Sequence, residues 1–111
     1  MSNMARYFIE LSYDGTNYHG WQVQPNALTV QETIEKAFST LLKDKISVVG
    51  AGRTDTGVHA SYFVAHFDHE QDDIDQQEGL EFKLNGILPE DIAVHAVSKV
   101  DSEMHARFSA R

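Results

Sequence analysis

The densest cluster of chemically competent side chains is the run Gly50-Ala-Gly-Arg-Thr-Asp-Thr-Gly-Val-His-Ala60. Gly50, Gly52 and Gly57 surround Arg53, Asp55 and His59. Glycine admits backbone conformations that other residues avoid and lets a ligand approach the chain closely. In extended chain Arg53 and Asp55, two residues apart, point the same way. A cation beside a carboxylate favours its ionised form, the form a nucleophilic or basic aspartate needs at neutral pH. The same spacing also suits an Asx-type turn with a surface ion pair. Spacing alone therefore leaves Asp55 between a nucleophile and a turn residue.

Other residues could touch a ligand. Tyr18 and Trp21 fall in a polar loop, where an aromatic ring can stack on a nucleic-acid base or pack against a sheet. His19 and Gln22 in the same loop could hydrogen-bond a polynucleotide or stay solvated. Arg107 could face a phosphate, with simple surface solvation as its alternative. His66, Asp68 and His69 carry metal-ligating groups, but they adjoin an acidic stretch and only two would share one strand face, so no metal is expected. His95 reads as structural. Asp55-Thr-Gly57 is also the triplet of the aspartic proteases, in which two aspartates share a proton across a dimer axis. Those folds are nearly all β and their triplet follows an apolar strand; here it follows Gly-Arg-Thr, between two helical segments.

The elements that must position these residues are readable from periodicity. Tyr7, Ile9, Leu11 and Tyr13 alternate with Arg6, Phe8, Glu10 and Ser12, the period of a strand, and Asp14-Gly15 stops it. A polar loop runs to about Leu28. Thr29 followed by Glu32 is a capping box; Val30, Ile34, Ala37, Phe38, Leu41 and Leu42 then fall on one helical face, with Lys43 near the helix's negative pole. Residues 46–52 form a short β-branched run, expected to be a largely buried strand, and 62–68 the next strand. Leu80, Leu84, Ile87 and Leu88 repeat at helical spacing up to Pro89. Residues 92–100 form the last strand, with Ile92, Val94, Ala96 and Val100 expected on one face. The order β-α-β-β-α-β predicts an α+β, ferredoxin-like fold: two helices on one face of a four-stranded antiparallel sheet.

At 111 residues the chain supports one modest core. Hydrophobic residues make up 41% and charged residues 23%, an ordinary globular composition. No apolar run approaches the roughly 20 residues of a membrane span, and there is no cysteine for disulfides or thiolate metal sites. A cytoplasmic location is expected. The net charge of −8 argues against a nucleic-acid binder, yet residues 68–78 hold six of the 17 acids and no Lys or Arg. Without them 11 acids face nine bases, a net charge of −2. That acidic stretch reads as a solvated loop. The end, from Met104 to Arg111, has no cap or terminal turn and reads as a chain cut while still going somewhere.

Gly52-Arg-Thr-Asp-Thr-Gly-Val-His-Ala60 resembles the signature of the tRNA pseudouridine synthase A family, G-R-T-D-x-G-V-H-A. Three further segments agree in order. Tyr13-Asp-Gly-Thr-Asn-Tyr-His-Gly-Trp-Gln-Val-Gln24 resembles the family's first loop, Leu84-Asn-Gly-Ile-Leu-Pro-Glu-Asp-Ile92 its second helix end, and His105-Ala-Arg-Phe-Ser-Ala110 the stretch before a later tyrosine; Met104 stands where the family commonly has Phe. The resemblance implies isomerisation of uridine to pseudouridine at positions 38 to 40 of the tRNA anticodon arm, with tRNA as partner and no metal or cofactor. Asp55 would attack or activate the ribose C1′. Arg53 would help flip the base and hold the site, with Thr54, His59, Arg107 and the loop residues Tyr18, His19, Trp21 and Gln22 toward the RNA. It also implies that residues 1–111 are an N-terminal domain, that a second domain completes the site, that full-length members are homodimers, and that this chain alone is inactive. The competing reading is a non-catalytic ferredoxin-like RNA-recognition module. Such modules carry a basic, glycine-rich strand motif, whereas this third strand reads Tyr62-Phe-Val-Ala-His-Phe-Asp68.

Overall fold

The computed structural model describes residues 4–51 and 57–101. Strand β1 (Ala5–Tyr13) leads through a 3-10 turn (Gly15–Asn17) and a loop to helix α1 (Val30–Leu42). Strands β2 (Val49–Gly50) and β3 (Ala60–His69), a second 3-10 turn (Ile74–Gln76), helix α2 (Leu80–Ile87) and strand β4 (Ile92–Val100) follow. The strands form one antiparallel sheet in the order β2-β3-β1-β4. This is the expected ferredoxin-like arrangement. Its helices exclude the all-β aspartic-protease architecture.

The period-two pattern of β1 decides which face is core. Tyr7, Ile9 and Leu11 are fully buried, and Arg6, Phe8, Glu10 and Ser12 lie on the other face, half-buried. Thr29 caps α1, accepting the Glu32 N–H, and Val30, Ile34, Ala37 and Phe38 bury against the β1 face, with Leu41 and Leu42 partly buried beside them. Lys43 ends the helix in the left-handed conformation, its N–H on Ser39 O. Helix α2 has only eight residues and no side-chain cap, too short to stand by itself. Packing of Leu80, Leu84 and Leu88 in the core holds it, while Ile87, expected on that face, is exposed.

Three expectations change. First, the run from Ile46 is a strand only at Val49–Gly50, paired with His66 and Ala65. Ile46 and Val48 are buried, but α1 side chains take their backbone groups: Ile46 N–H donates to Ser39 Oγ (3.0 Å), Val48 N–H to Glu35 Oε2 (2.8 Å), and Val48 O accepts Gln31 Nε2–H (2.7 Å). Gln31, Glu35 and Ser39, one helical turn apart, replace a neighbouring strand.

Second, β4 does not keep one apolar face. Glu10 pairs with Ala96 but Leu11 with Val94, so His95 is an extra residue. This bulge inverts the alternation, and Val97 rather than Ala96 is buried. Third, the acidic stretch is pegged down rather than simply solvated. Ile74 is fully buried, Tyr7 Oη donates to Gln71 O (2.6 Å), and Asp68 lies within β3 in a bidentate pair with Arg6 (2.7 and 2.9 Å). The Arg6 guanidinium holds the Asp68 carboxyl below its usual range.

If α1 side chains hold the chain before β2, Glu35→Ala lowers stability by about 1–2 kcal/mol, the cost of an orphaned N–H. Thr40→Ala, exposed on the same helix, should change it by less than about 0.5 kcal/mol. Urea denaturation compares the two, and equal effects would contradict this role for Glu35.

Candidate active site

Arg53, Thr54, Asp55 and Arg107 lie outside the described residues. The structure describes both flanks of residues 52–56, and one loop holds them. On the entering side, Ala51 N–H donates to Val64 O (2.8 Å), extending the sheet by one bond. Gly50 packs against the Trp21 ring: a Cβ at this position would lie 2.4 Å from Trp21 Nε1. The indole is 1% exposed and packs on Phe63, with ring centroids 4.6 Å apart.

On the leaving side, Gly57 has φ of +79°, a conformation that suits glycine. Its N–H donates to Tyr18 O (3.2 Å). Gly15 lies directly under Val58: a Cβ there would fall 1.9 Å from the Val58 carbonyl oxygen. His59 Nδ1 lies 2.9 Å from the Gly15 N–H and 3.1 Å from Asp14 Oδ1. A ring nitrogen has one in-plane position, so a bare Nδ1 accepts from the Gly15 N–H, whereas an Nδ1 that carries a proton donates to Asp14. Asp14 caps the 3-10 turn. Its Oδ1 accepts from Thr16 Oγ1 (2.6 Å) and Thr16 N (3.0 Å), which keeps the carboxyl below its usual range.

A third segment locks this arrangement. The Asp91 carbonyl accepts the Asp14 N–H (2.8 Å), and its carboxylate accepts the Tyr18 hydroxyl (2.7 Å). A shallow groove of about 390 Å³ opens here, lined in part by Ser12, Asp14, His59, Ser61, Glu90 and Asp91. The pairing register shifts near Ser12 on both neighbouring strands, with β3 between Leu11 and Tyr13 and with β4 between Glu10 and Leu11.

The sequence-selected residues thus divide. His59 lies in the groove, 62% exposed. His19 and Gln22 are exposed on the loop. Tyr18 and Trp21 are 3% and 1% exposed. Their rings fill the space between loop and sheet, the packing alternative of the two that the sequence left open. His66, Asp68 and His69 do not converge. His66 is buried beside Phe8, Asp68 pairs with Arg6, and His69 Nε2 contacts Asp44 Oδ2 at 3.1 Å. Asp14, Gly15 and Asp91 had no assigned site role, though each lies in a segment that carries the family likeness.

Comparison with known proteins identifies the family. The family model for tRNA pseudouridine synthase matches residues 11–109, and the chain belongs to that family. A tRNA pseudouridine synthase A of Bacteroides thetaiotaomicron is 58% identical over 107 residues, covering 96% of this chain and 39% of the relative. The proteins of the same name from Bacteroides fragilis (54% over 108 residues, 97% and 42%) and Parabacteroides distasonis (52% over 107 residues, 96% and 42%) are similar. The chain therefore spans about two-fifths of the length of the curated relatives it matches.

The Gly15–Val58 approach has a direct test. Gly15→Ala forces the loop off residues 57–59 and is expected to destabilise the fold by about 2 kcal/mol or more. Gly86→Ala, where a Cβ meets nothing within 4 Å, should stabilise α2 by up to about 1 kcal/mol. Thermal unfolding measures both, and a neutral Gly15→Ala would contradict the close approach.

Proposed function

We propose that this chain carries the nucleophile-bearing part of a tRNA pseudouridine synthase that converts uridine to pseudouridine in the anticodon stem-loop, at positions 38 to 40, with Asp55 as nucleophile. The observation that carries the reading is the meeting of three distant stretches: residues 14–21, residues 90–91 and the described flanks of Asp55, 50–51 and 57–60. Such framing suits a residue that must meet one atom of a large substrate, since reacting groups must be held about 3–3.5 Å apart.

In this reading Asp55 attacks or otherwise activates ribose C1′. The C1′–N1 bond breaks, the uracil rotates, and a C1′–C5 bond forms. The C5 proton leaves and N1 gains one, so the isomerisation balances without a cofactor. A paired, stacked uridine cannot present C1′ to a carboxylate, so the nucleotide must be flipped at a cost of a few kcal/mol. Arg53 contributes to flipping and to holding the site, and Thr54, His59, Arg107, His19 and Gln22 are the candidate RNA contacts. The described groove carries carboxylates and no Lys or Arg among the lining residues, so phosphate neutralisation falls to residues elsewhere, Arg53 and Arg107 among them. The reading includes a homodimer of the full-length protein in the cytoplasm. Among the described residues no helix is long and apolar enough to cross a membrane.

The experiment is tritium release from C5-labelled uridine in tRNA, with a full-length family protein carrying these residues. Asp55→Ala should abolish release while circular dichroism stays native, and residues 1–111 alone should release little. Normal release by folded Asp55→Ala would sink the nucleophile assignment. A protein with Asp55 intact that bound tRNA and released nothing would be a binding module.

A further inference from the structure

Tyr18 sits where the three segments meet. Its side chain is 3% exposed, and its hydroxyl donates to Asp91 Oδ1 at 2.7 Å. Its N–H donates to Gly15 O (3.0 Å), and its carbonyl accepts the Gly57 N–H (3.2 Å). Asp91 holds the other end of the same turn through the Asp14 N–H. The Tyr18–Asp91 pair therefore spans the 14–18 turn and, through the Tyr18 carbonyl, reaches the first peptide after residues 52–56. Gly57 has no side chain, and a Cβ there would touch nothing within 4 Å. Its positive-φ conformation is therefore held by backbone contacts, among them the bond to Tyr18.

We propose that Tyr18 and Asp91 are a positioning pair for the reaction, setting the backbone at Gly57, two residues from Asp55, without touching the substrate. The proposal rests on the reading of Asp55 as nucleophile. The chemistry suits a fixed strut. Burial, with the Asp91 carboxylate in support, raises the phenol pKa well above its ordinary value, so the hydroxyl remains a donor at any working pH. A residue that displaces a nucleophile by about 1 Å costs about 100-fold in rate without changing substrate contacts.

In the full-length protein, Tyr18→Phe is expected to lower kcat about 10- to 100-fold, with KM for tRNA changed by less than about threefold. Asp91→Ala should match it, and Asp91→Asn, which keeps an acceptor oxygen, should restore most of that loss. The double variant Tyr18→Phe/Asp91→Ala should fall no further than either single, because both act through one bond. A second readout needs no activity. In the 111-residue chain, amide exchange at Gly57 should accelerate in Tyr18→Phe, while Ile9 in β1 changes no more than global stability requires. Should Asp91→Ala fail to fold, Tyr18→Phe and Asp91→Asn carry the comparison.

Full kcat in Tyr18→Phe, a rise in KM alone, or unchanged Gly57 protection would overturn the positioning role. Asp55→Ala separates the two claims. If it is inactive while Tyr18→Phe is normal, the pair falls and the nucleophile stands. If it is active, the nucleophile reading falls.

Discussion

Gly15 and Val58 touch backbone to backbone, with no room for even a methyl group between them. The site depends on this contact because it ties the end of β1 to the start of β3 across residues 52–56. Tyr18 then reaches Gly57 with its carbonyl and Asp91 with its hydroxyl, and Trp21 reaches Gly50 with its indole. One loop thus clamps a segment at both ends. The clamp is mostly backbone and buried aromatic, so it is stiff, and stiffness suits the role proposed for Asp55, which must meet a flipped nucleotide without reorganising.

The loop can be stiff because the sheet beneath it is ordinary. The odd residues of β1 bury against α1 and α2, and α1 presents Gln31, Glu35 and Ser39 to the chain that leads into β2. Gln31 also accepts the Val23 N–H, so the same helix braces the loop and the entry to the candidate site. Charge plays a separate part. The six acids of residues 68–78 gather where Tyr7 and Ile74 pin that stretch, so much of the net charge of −8 belongs to one segment of the chain.

Much of this was legible from residue types. Alternation marked β1, the Thr29–Glu32 pair marked the start of α1, and the order of elements predicted the fold. The bulge at His95 was not legible, because nothing in Ile-Ala-Val-His-Ala-Val announces an extra residue; it arises from pairing with β1. The short β2 was hidden for a related reason, since its missing ladder bonds are replaced by side chains of a distant helix. In the site, the family likeness pointed to Asp55, but the likeness could not tell a ring that stacks on RNA from one that fills the core. Tyr18 and Trp21 look alike as loop aromatics in a sequence. Only the sheet packed against them shows that both rings are buried. Asp14 and Asp91 were overlooked because a carboxylate after a strand or a proline reads as a turn residue.

The most direct measurement is a crystal structure of a full-length family protein carrying these residues, bound to tRNA with its target uridine flipped. Among the described residues Asp14, Glu90 and Asp91 bring carboxylates to this groove, and the account assigns the chemistry to Asp55 instead. It predicts the Asp55 carboxylate within about 3.5 Å of the target C1′, with Gly57 still bonded to Tyr18. A structure in which Asp14, Glu90 or Asp91 approaches C1′ while Asp55 points away would contradict it.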